Sequence, residues 1–467
     1  MEMDTKFYDM LKRWHLWIGC ICVYLIAIWA RYRYFDSVEI YSDSLSPYLA
    51  ATKVIHTGFS DPPNPESDHW LWITALPQVF VAGSLRELFF LRLCISALVA
   101  PMGFLIGWKL CRNLQISDAW LIAFLIGLIV SFDVGLIDTF LSSFRGYMAP
   151  EWVALSFLCF LYRGQRNWIY GCSILCIPIA GGHHPLALGI LFCSLVGIQN
   201  KKEFLFVVVI LLCGFLGRFL WIWEIIQCDT GGISCIQEIA TGSSERISYF
   251  DMIQRVWNDR ILGELGWFGI CCFCGIWLPL FFRRQKSYDL WLYVSIIGIF
   301  LLGLSLSTLR PYHLRIVVVP FVALSVINFC QMWRYSYIMI GILWMVQTPK
   351  NLIGYGSNRL DIDIHDDVGT VFVNKNTILW LEGTMESEQQ CSVSGVILSA
   401  YLQGLSVDFL PNKAMGDVFI WDCKNIHYIG NMDDFQDWRH DIDTENLIGS
   451  YDWVRAFYSD DDIFLYW

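Results

Sequence analysis

The sequence predicts an all-α polytopic membrane protein with about eleven transmembrane helices and a small extracytoplasmic α/β domain at its C-terminal end. The first reason is composition, since 56% of the 467 residues are hydrophobic and only 16% are charged. The mean hydropathy is +0.48, and a soluble domain cannot bury that much apolar surface. The second reason is charge distribution, because the acidic residues are concentrated in the last quarter of the chain.

Eleven apolar segments are long enough, or nearly long enough, to cross a bilayer, which needs about 20 apolar residues. They lie at roughly 14–30, 88–110, 118–132, 148–162, 168–180, 185–199, 203–223, 263–283, 288–308, 313–331 and 334–348. Several of these segments are short, so the number of spans can differ from eleven by about one or two.

The basic residues predict the orientation of these spans. If the N-terminus is cytoplasmic and the spans alternate, every cytoplasmic connection is short and basic, as the positive-inside rule expects. The basic residues of these connections are Lys12, Arg13, Lys109, Arg112, Arg163, Arg166, Lys201, Lys202, Arg283, Arg284, Lys286 and Arg334. The alternation favours an odd number of spans and places the acidic C-terminal part outside. The first span lacks a small-residue cleavage site, which indicates an uncleaved signal anchor.

The predicted domains are a transmembrane domain at 1–349, with a long first outer loop at 31–87, and an acidic domain at 350–467. From Asn351 onwards 20 Asp and Glu residues oppose 6 Lys and Arg residues, a net charge of −14, whereas the preceding residues carry +3. Short β-like runs and one helix-like run are typical of a small α/β unit. The β-like runs are Val368–Val373, Thr377–Leu381, Val418–Trp421 and His427–Ile429, and the helix-like run is Val393–Leu402.

The sequence argues against nucleic-acid-binding and nucleotide-dependent functions. Neither domain has a lysine-rich run, so nucleic acid is not an expected partner. The cytoplasmic connections contain no Walker A motif and no Gly-rich strand–helix turn. The longer outer segments are therefore the predicted location of any chemistry. The lack of an Asn-X-Ser/Thr sequon favours a bacterial inner membrane over a eukaryotic secretory membrane.

Four of the 17 cysteines fall in predicted outer segments, where they form two local pairs in the sequence. Cysteines outside the cytoplasm can form disulfides. We therefore expect Cys228 to pair with Cys235, and Cys391 to pair with Cys423. Most of the other cysteines lie in apolar spans, where a small packing residue is the ordinary interpretation.

The first outer loop offers the leading candidates for chemistry. It reads RYRYFDSVEIYSDSLSPY from Arg31 to Tyr48, with Asp36, Glu39 and Asp43 at spacings of three and four. On a helix these three carboxylates share one face. Carboxylates at a bilayer boundary cost free energy unless they are hydrated, paired or used. A solvated loop with ordinary charges is the alternative interpretation.

The next two outer segments carry further candidates. Asp138 and Arg145 lie in the second outer segment, where Arg145 forms a structural ion pair or contacts a phosphate. His183 and His184 precede Pro185 in the next segment. Adjacent histidines rarely chelate one metal, so we expect them to line a polar cavity or to begin a helix, and we expect no metal site.

A basic segment links two later spans at the outer side. Arg310, Tyr312, His313 and Arg315 form either an anion-binding rim or a charge balance for the acidic tail. Together with the carboxylates of the first two loops, this combination suits transfer from a lipid-linked phosphate donor. A carboxylate takes the proton from an acceptor hydroxyl, and cationic groups hold the leaving phosphate. The donor is already anchored in the bilayer, so no nucleotide fold is needed.

The layout resembles the GT-C class of polytopic glycosyltransferases, which includes polyprenyl-phosphate-sugar-dependent mannosyl- and aminoarabinose transferases. The resemblance rests on one span, an acidic outer loop with the stretch FDSVEIYSDSLSPYLAA, many further spans and a C-terminal outer domain. It implies inverting transfer of a hexosyl or pentosyl group from a polyprenyl phosphate to an acceptor. It also implies that Asp43, ahead of Glu39 and Asp36, is the catalytic base or lies beside a metal, which leaves a divalent cation open as a cofactor.

The chain departs from that class in two respects. Its acidic residues are not adjacent, and the WWDYG-type signature of oligosaccharyltransferases is absent. The second departure argues against protein N-glycosylation and leaves the acceptor open.

A non-catalytic membrane scaffold or assembly subunit, whose acidic domain binds an extracytoplasmic protein, is the alternative function. A transporter ranks third, because Asp133, Arg218 and Glu224 lie near predicted span ends. Membrane lipids are expected partners in each case.

Overall fold

The structure is a computed structural model of the chain. It describes residues 2–35, 48, 51, 55, 69–141, 148–164, 167–196, 198, 201–216, 249–258, 261, 266–282, 286–305, 311–347, 370–374, 398, 402, 406–410, 418–422, 425–429, 447–451, 454–459 and 462–464. Up to residue 347 the described elements are helices, and seven strands follow them.

Most of the helices overlap the predicted apolar segments, whereas those at His69–Val81, Val134–Leu141 and Tyr249–Arg255 lie outside them. The α-helices are α1 (Glu2–Tyr32), α2 (His69–Val81), α3 (Leu85–Ala97), α4 (Val99–Asn113), α5 (Ala119–Ser131), α6 (Val134–Leu141), α7 (Ala149–Tyr162), α8 (Asn167–His183), α9 (Lys201–Leu216), α10 (Tyr249–Arg255), α11 (Gly266–Phe282), α12 (Ser287–Ser305), α13 (Val318–Met332) and α14 (Ser336–Gln347). Two 3-10 helices are η1 (Pro185–Leu195) and η2 (Pro311–Val317).

Four helical segments among the described residues are long and apolar enough to cross a membrane. They are Trp14–Tyr32, Leu85–Asn113, Ser287–Leu304 and Leu314–Met332. Six further apolar helices are shorter, at Ala119–Ser131, Ala149–Tyr162, Trp168–Gly181, Glu203–Leu212, Phe268–Phe281 and Ser336–Val346. The prediction of an apolar helical protein is therefore confirmed, whereas the number of eleven spans stays a prediction.

Helix α13 lies at the centre of the helical part. It packs against α4, α5, α7, α11 and α14, and its side chains are buried almost continuously from Val318 to Cys330. A helix that is enclosed on all sides must be apolar on all sides, and the sequence VVPFVALSVINFCQM meets that requirement. The core around α13 is continuous with the buried faces of α4, α5, α7, α8 and α12.

Hydroxyl groups connect neighbouring helices inside this core. Ser325 of α13 donates to the carbonyl oxygen of Cys272 in α11, at 2.7 Å. Ser156 of α7 and Ser173 of α8 each donate to the other's carbonyl oxygen, at 2.6 and 2.7 Å. Such bonds hold apolar helices in register where water is excluded. The Ser156–Ser173 pair fixes α7 and α8 side by side.

Helix α1 runs antiparallel to the continuous pair α3–α4. In the middle of α1 Gly19 faces Phe104, whereas beyond the end of α1 Phe35 contacts the ring of Phe90. The end of α5 reaches the end of α1, because Arg31 bonds to Ser131. We call this end of the bundle the Arg31 end; it contains the C-terminal ends of α1 and α5, helices α3 and α6, and the first turn of α7.

The C-terminal strands form one seven-stranded mixed sheet. The strands are β1 (Thr370–Asn374), β2 (Ser406–Leu410), β3 (Val418–Asp422), β4 (Asn425–Ile429), β5 (Leu447–Tyr451), β6 (Val454–Ser459) and β7 (Asp462–Phe464). Their order is β2-β1-β7-β6-β4-β3, and β5 pairs with β6. Strand β1 is parallel to β2 and β7, and the remaining pairs are antiparallel. Strands β1, β3 and β4 overlap three of the predicted β-like runs.

The crossing of η1 and α12 gives a test of the packing. A Cβ atom added at Gly189 would lie 2.5 Å from the carbonyl carbon of Gly298, so the backbones must separate to admit it. We expect Gly189→Ala to destabilise the protein by about 1–3 kcal/mol, the usual cost of overpacking. The measurement is the thermal unfolding midpoint of the purified protein in detergent.

Gly164→Ala is the matched control, because no atom lies within 4 Å of a Cβ at that position. It should leave the unfolding midpoint unchanged. An unchanged midpoint for Gly189→Ala would show that the two backbones do not cross as closely as described.

Candidate functional site

Charged side chains are buried together at the Arg31 end. The exposed fractions are 0% for Arg31, 0% for Arg92, 4% for Asp133 and 6% for Glu151. Burying a charge costs several kcal/mol unless the charge is paired and hydrogen-bonded. Ionisable groups inside an apolar helical bundle are for that reason candidates for function. We call these four residues the charged centre.

Arg31 connects three helices at the charged centre. Its Nε donates to the hydroxyl oxygen of Ser96 in α3, at 3.0 Å. Its Nη1 donates to the carbonyl oxygens of Ala27, at 3.2 Å, and of Ser131 at the end of α5, at 3.3 Å. The Ser131 hydroxyl is itself bonded to the carbonyl oxygen of Gly127, at 2.7 Å. The guanidinium group therefore fixes where α1 ends.

Arg92 and Asp133 attach the short helix α6 to the same place. Arg92 Nη2 donates to the carbonyl oxygen of Thr139, at 3.3 Å. Asp133 lies just before α6 and accepts a hydrogen bond from the Leu136 amide, at 2.9 Å, which is an N-capping interaction. The Asp133 carboxyl group thus has a clear role in starting α6.

Glu151 lies in the first turn of α7 and completes the centre. Its carboxyl group interacts electrostatically with Arg31 and Arg92, and with the Ser96 side chain. In the described part of the chain neither Glu151 Oε2 nor Arg31 Nη2 has a hydrogen-bond partner. Glu151 Oε2 can therefore still accept a hydrogen bond, and Arg31 Nη2 can still donate one. Among the described residues no group of three His, Cys, Asp or Glu side chains is arranged to hold a metal ion.

A second polar network runs from α8 through α2 to the start of α7. Thr74 Oγ1 and His183 Nε2 are 3.0 Å apart, and Gln78 Nε2 donates to the Thr74 carbonyl oxygen at 3.1 Å. The Tyr48 hydroxyl donates to Gln78 Oε1, at 3.2 Å. Gln78 also approaches the sulfur of Met148, at 3.9 Å, and Met148 directly precedes α7. Through α7 this network reaches the charged centre.

The acidic stretch of the first loop is held at both ends near these networks. On its N-terminal side Phe35 is buried and stacks on Tyr32, with ring centroids 5.8 Å apart. On its C-terminal side Tyr48 is completely buried and bonded to Gln78. Residues 36–47 lie between these two anchors and outside the described residues.

Most of the sequence-predicted site residues lie outside the described residues. These are Asp36, Glu39, Asp43, Arg145, Arg310 and the cysteines Cys228, Cys235, Cys391 and Cys423. The helical backbones of Asp138, Tyr312 and His313 are described, but their side chains are not.

Three predicted residues are placed by the structure. His183 is buried, and its Nε2 lies 3.0 Å from Thr74 Oγ1. His184 accepts a hydrogen bond from the Leu186 amide through Nδ1, at 3.3 Å, and caps η1, which is the helix-start interpretation. Arg315 is half-buried in η2, a segment that packs against α6 and α7. The structure thus places Arg315 on a segment that contacts both the helix preceded by Asp133 and the helix that begins near Glu151.

The sequence reasoning did not select the charged centre. Arg92 and Glu151 are charged residues inside predicted apolar segments, at 88–110 and 148–162. That placement was the available signal, because a charge within a span is by default a functional candidate. Arg31 was noticed only as the start of the acidic stretch.

Comparisons with known proteins add no family assignment. No protein-family model matches the chain, and no curated protein matches it.

A double-mutant cycle tests the charged centre. We expect Arg31→Met and Glu151→Met each to destabilise the protein by about 3–5 kcal/mol, because each leaves an uncompensated buried charge. The double variant should lose much less free energy of unfolding than the two single variants lose together, since it leaves neither charge behind. Unfolding free energies in detergent provide the measurement.

The exposed pair Arg334 and Asp118 supplies the matched control for this cycle. Arg334 Nε donates to Asp118 Oδ2 at 3.2 Å, but its side chain is 58% exposed. A corresponding cycle on this pair should give only weak coupling. Strictly additive losses at Arg31 and Glu151 would mean that the two charges do not depend on each other.

Proposed function

We propose that this chain is a GT-C-like membrane glycosyltransferase that transfers a sugar from a polyprenyl-phosphate donor to an acceptor at the outer face of the membrane. The observation that supports it is the anchoring of the acidic stretch. Its flanking residues are both buried: Phe35 stacks on Tyr32, the residue after Arg31, and Tyr48 donates to Gln78 in the network that leads to α7. A catalytic carboxylate needs such a fixed, partly desolvated setting close to cationic groups.

The reach of the stretch is compatible with this role. Asp43 is five residues from Tyr48, a distance of at most about 17 Å along extended chain. Glu39 and Asp36 are closer to Phe35, the other anchor. Asp43 remains the leading candidate for the base, with Glu39 and Asp36 as the others.

The proposed reaction is a single inverting displacement. The acceptor hydroxyl oxygen forms a bond to the anomeric carbon of the sugar, while the bond from that carbon to the phosphate oxygen breaks. Asp43 takes the proton of the hydroxyl. The polyprenyl phosphate leaves with the bonding electron pair and is stabilised by guanidinium groups, which bind phosphate oxygens in pairs.

The cations for this step come from two sources. Arg31 and Arg92 are buried at the charged centre. Arg315 belongs to η2, which packs against α6 and α7; Tyr312 and His313 are in the same short helix, and Arg310 precedes it in the sequence. Asp138 in α6 and Arg145 after it lie in the same region of the sequence.

The membrane setting is part of the same proposal. It comprises about eleven spans, a cytoplasmic N-terminus, a bacterial inner membrane, and a periplasmic α/β domain at 350–467. It also includes the disulfides Cys228–Cys235 and Cys391–Cys423. A non-catalytic scaffold that binds a protein through its acidic domain is the second candidate, favoured by the net charge of −14 from Asn351 onwards.

Consumption of the donor tests the proposed activity without knowledge of the acceptor. The full chain in lipid nanodiscs is incubated with a panel of polyprenyl-phosphate sugars, and release of polyprenyl phosphate is measured with water or added acceptors. We expect Asp43→Asn to lower the rate by about 100-fold or more, because loss of a general base removes that factor. Thermal unfolding checks that the variant is folded.

Asp118→Asn is the matched control, since Asp118 lies in the turn before α5, at the opposite end of that helix from Ser131. It should retain the wild-type rate. Wild-type activity in Asp43→Asn would remove Asp43 as the base. Failure of the wild-type protein to consume any donor would favour the scaffold.

A further inference from the structure

A cavity of about 400 Å³ opens at the Arg31 end, next to the charged centre but distinct from it. It lies between the end of α1, the end of α2 and the start of α3. Its lining is largely aromatic and aliphatic, with one cation and one carboxylate. The lining residues are Tyr32, Phe35, Val81, Arg86, Glu87, Phe90 and Leu91.

The depth of the cavity matches the head-group layer of a membrane. Leu85–Asn113 is a 29-residue candidate span, about 43 Å long as a helix, whereas the hydrocarbon core is about 30 Å thick. Its ends therefore project beyond the hydrocarbon. Phe90 contacts Phe35, just past the last residue of the α1 span, and Arg86 lies about 6 Å further out along α3.

The two charged side chains that line the cavity belong to consecutive residues of α3, and each of them is held by contacts of its own. The Arg86 guanidinium lies over the ring of Phe35, at 5.7 Å from its centroid. Glu87 Oε2 accepts a hydrogen bond from the Gly83 amide, at 2.7 Å, while the Glu87 amide donates to Ser84 Oγ, at 3.3 Å. This reciprocal capping fixes the Glu87 carboxylate at the first turn of α3, where it lines the same cavity as Arg86.

The rim of the cavity is suited to lipid chains. Phe80 is 81% exposed and Val81 is 70% exposed, and Phe90 is also exposed. Large apolar side chains at a membrane boundary contact lipid, and aromatic residues concentrate at that level. A ligand here therefore has a polar part at Arg86 and Glu87 and an apolar part along Phe90.

We propose that this cavity binds the head group of a zwitterionic aminophospholipid. The phosphate contacts Arg86, the primary ammonium group donates to the Glu87 carboxylate, and one acyl chain lies along Phe90 and Leu91. The paired cation and carboxylate match the paired charges of a phosphoethanolamine head group. An anionic head group without an amine meets repulsion from Glu87, and a choline group has no N–H to donate.

Native mass spectrometry of the full-length protein tests this site. The delipidated protein is titrated with phosphatidylethanolamine, phosphatidylglycerol and phosphatidylcholine of identical acyl chains. We expect the wild-type protein to prefer phosphatidylethanolamine. The Glu87→Gln variant should prefer phosphatidylethanolamine over phosphatidylglycerol about fivefold less strongly than the wild-type protein does, the equivalent of about 1 kcal/mol. The glutamine carbonyl can still accept from Gly83, so the cap is preserved.

Arg86→Gln should lower the affinity for phosphatidylethanolamine and for phosphatidylglycerol alike by about fivefold, since both lipids lose the phosphate contact. Arg334→Gln is the control, because Arg334 is an exposed arginine in the turn between α13 and α14. It should change neither affinity. A wild-type preference for phosphatidylglycerol or phosphatidylcholine, or a preference unaffected by Glu87→Gln, would overturn the proposal. The readout is lipid binding, so it is independent of any sugar transfer.

Discussion

The burial of Arg31 is the constraint on which the Arg31 end of the bundle depends. A guanidinium group that is inaccessible to water must find its partners within the protein. Here those partners come from α1 itself, from Ser96 in α3 and from Ser131 at the end of α5. Glu151 at the start of α7 supplies the opposite charge. One side chain thus connects four helices at this end of the bundle, in addition to hydrogen bonds such as those from Tyr24 to Cys94 and from Ser131 to Val23.

This arrangement has a consequence for the acidic stretch that follows α1. Since Arg31 fixes the end of the helix, it also fixes the point at which the chain leaves towards Asp36 and Asp43. The return of the chain is fixed independently, because Tyr48 is bonded to Gln78 of α2. A loop with two fixed ends needs less ordering when a substrate arrives, which is the physical advantage of preorganisation. The proposed transferase activity uses that advantage, and the lipid site beside it uses the outer part of α3.

Residue patterns predicted the helices well and the charged centre poorly. Trp14–Tyr32 and Leu314–Met332 were evident from composition, because apolar length is a local property. The role of His184 in starting η1 was also predictable from the proline that follows it. The pairing of Arg31 with Ser96 and Ser131 joins residues 65 and 100 positions apart, and only tertiary packing specifies it. Arg92 and Glu151 were visible as charges in apolar segments, but nothing local indicated that they face one another.

The most direct test of the central claim is photo-cross-linking from position 43 in the full-length protein. A benzophenone-bearing residue replaces Asp43, the protein is irradiated in nanodiscs, and the linked peptides are identified by mass spectrometry. The account predicts cross-links to the first turn of α7 around Glu151, or to η2 around Arg315. Cross-links confined to the C-terminal sheet, between Thr370 and Phe464, would contradict it, because the acidic stretch would then lie away from the charged centre.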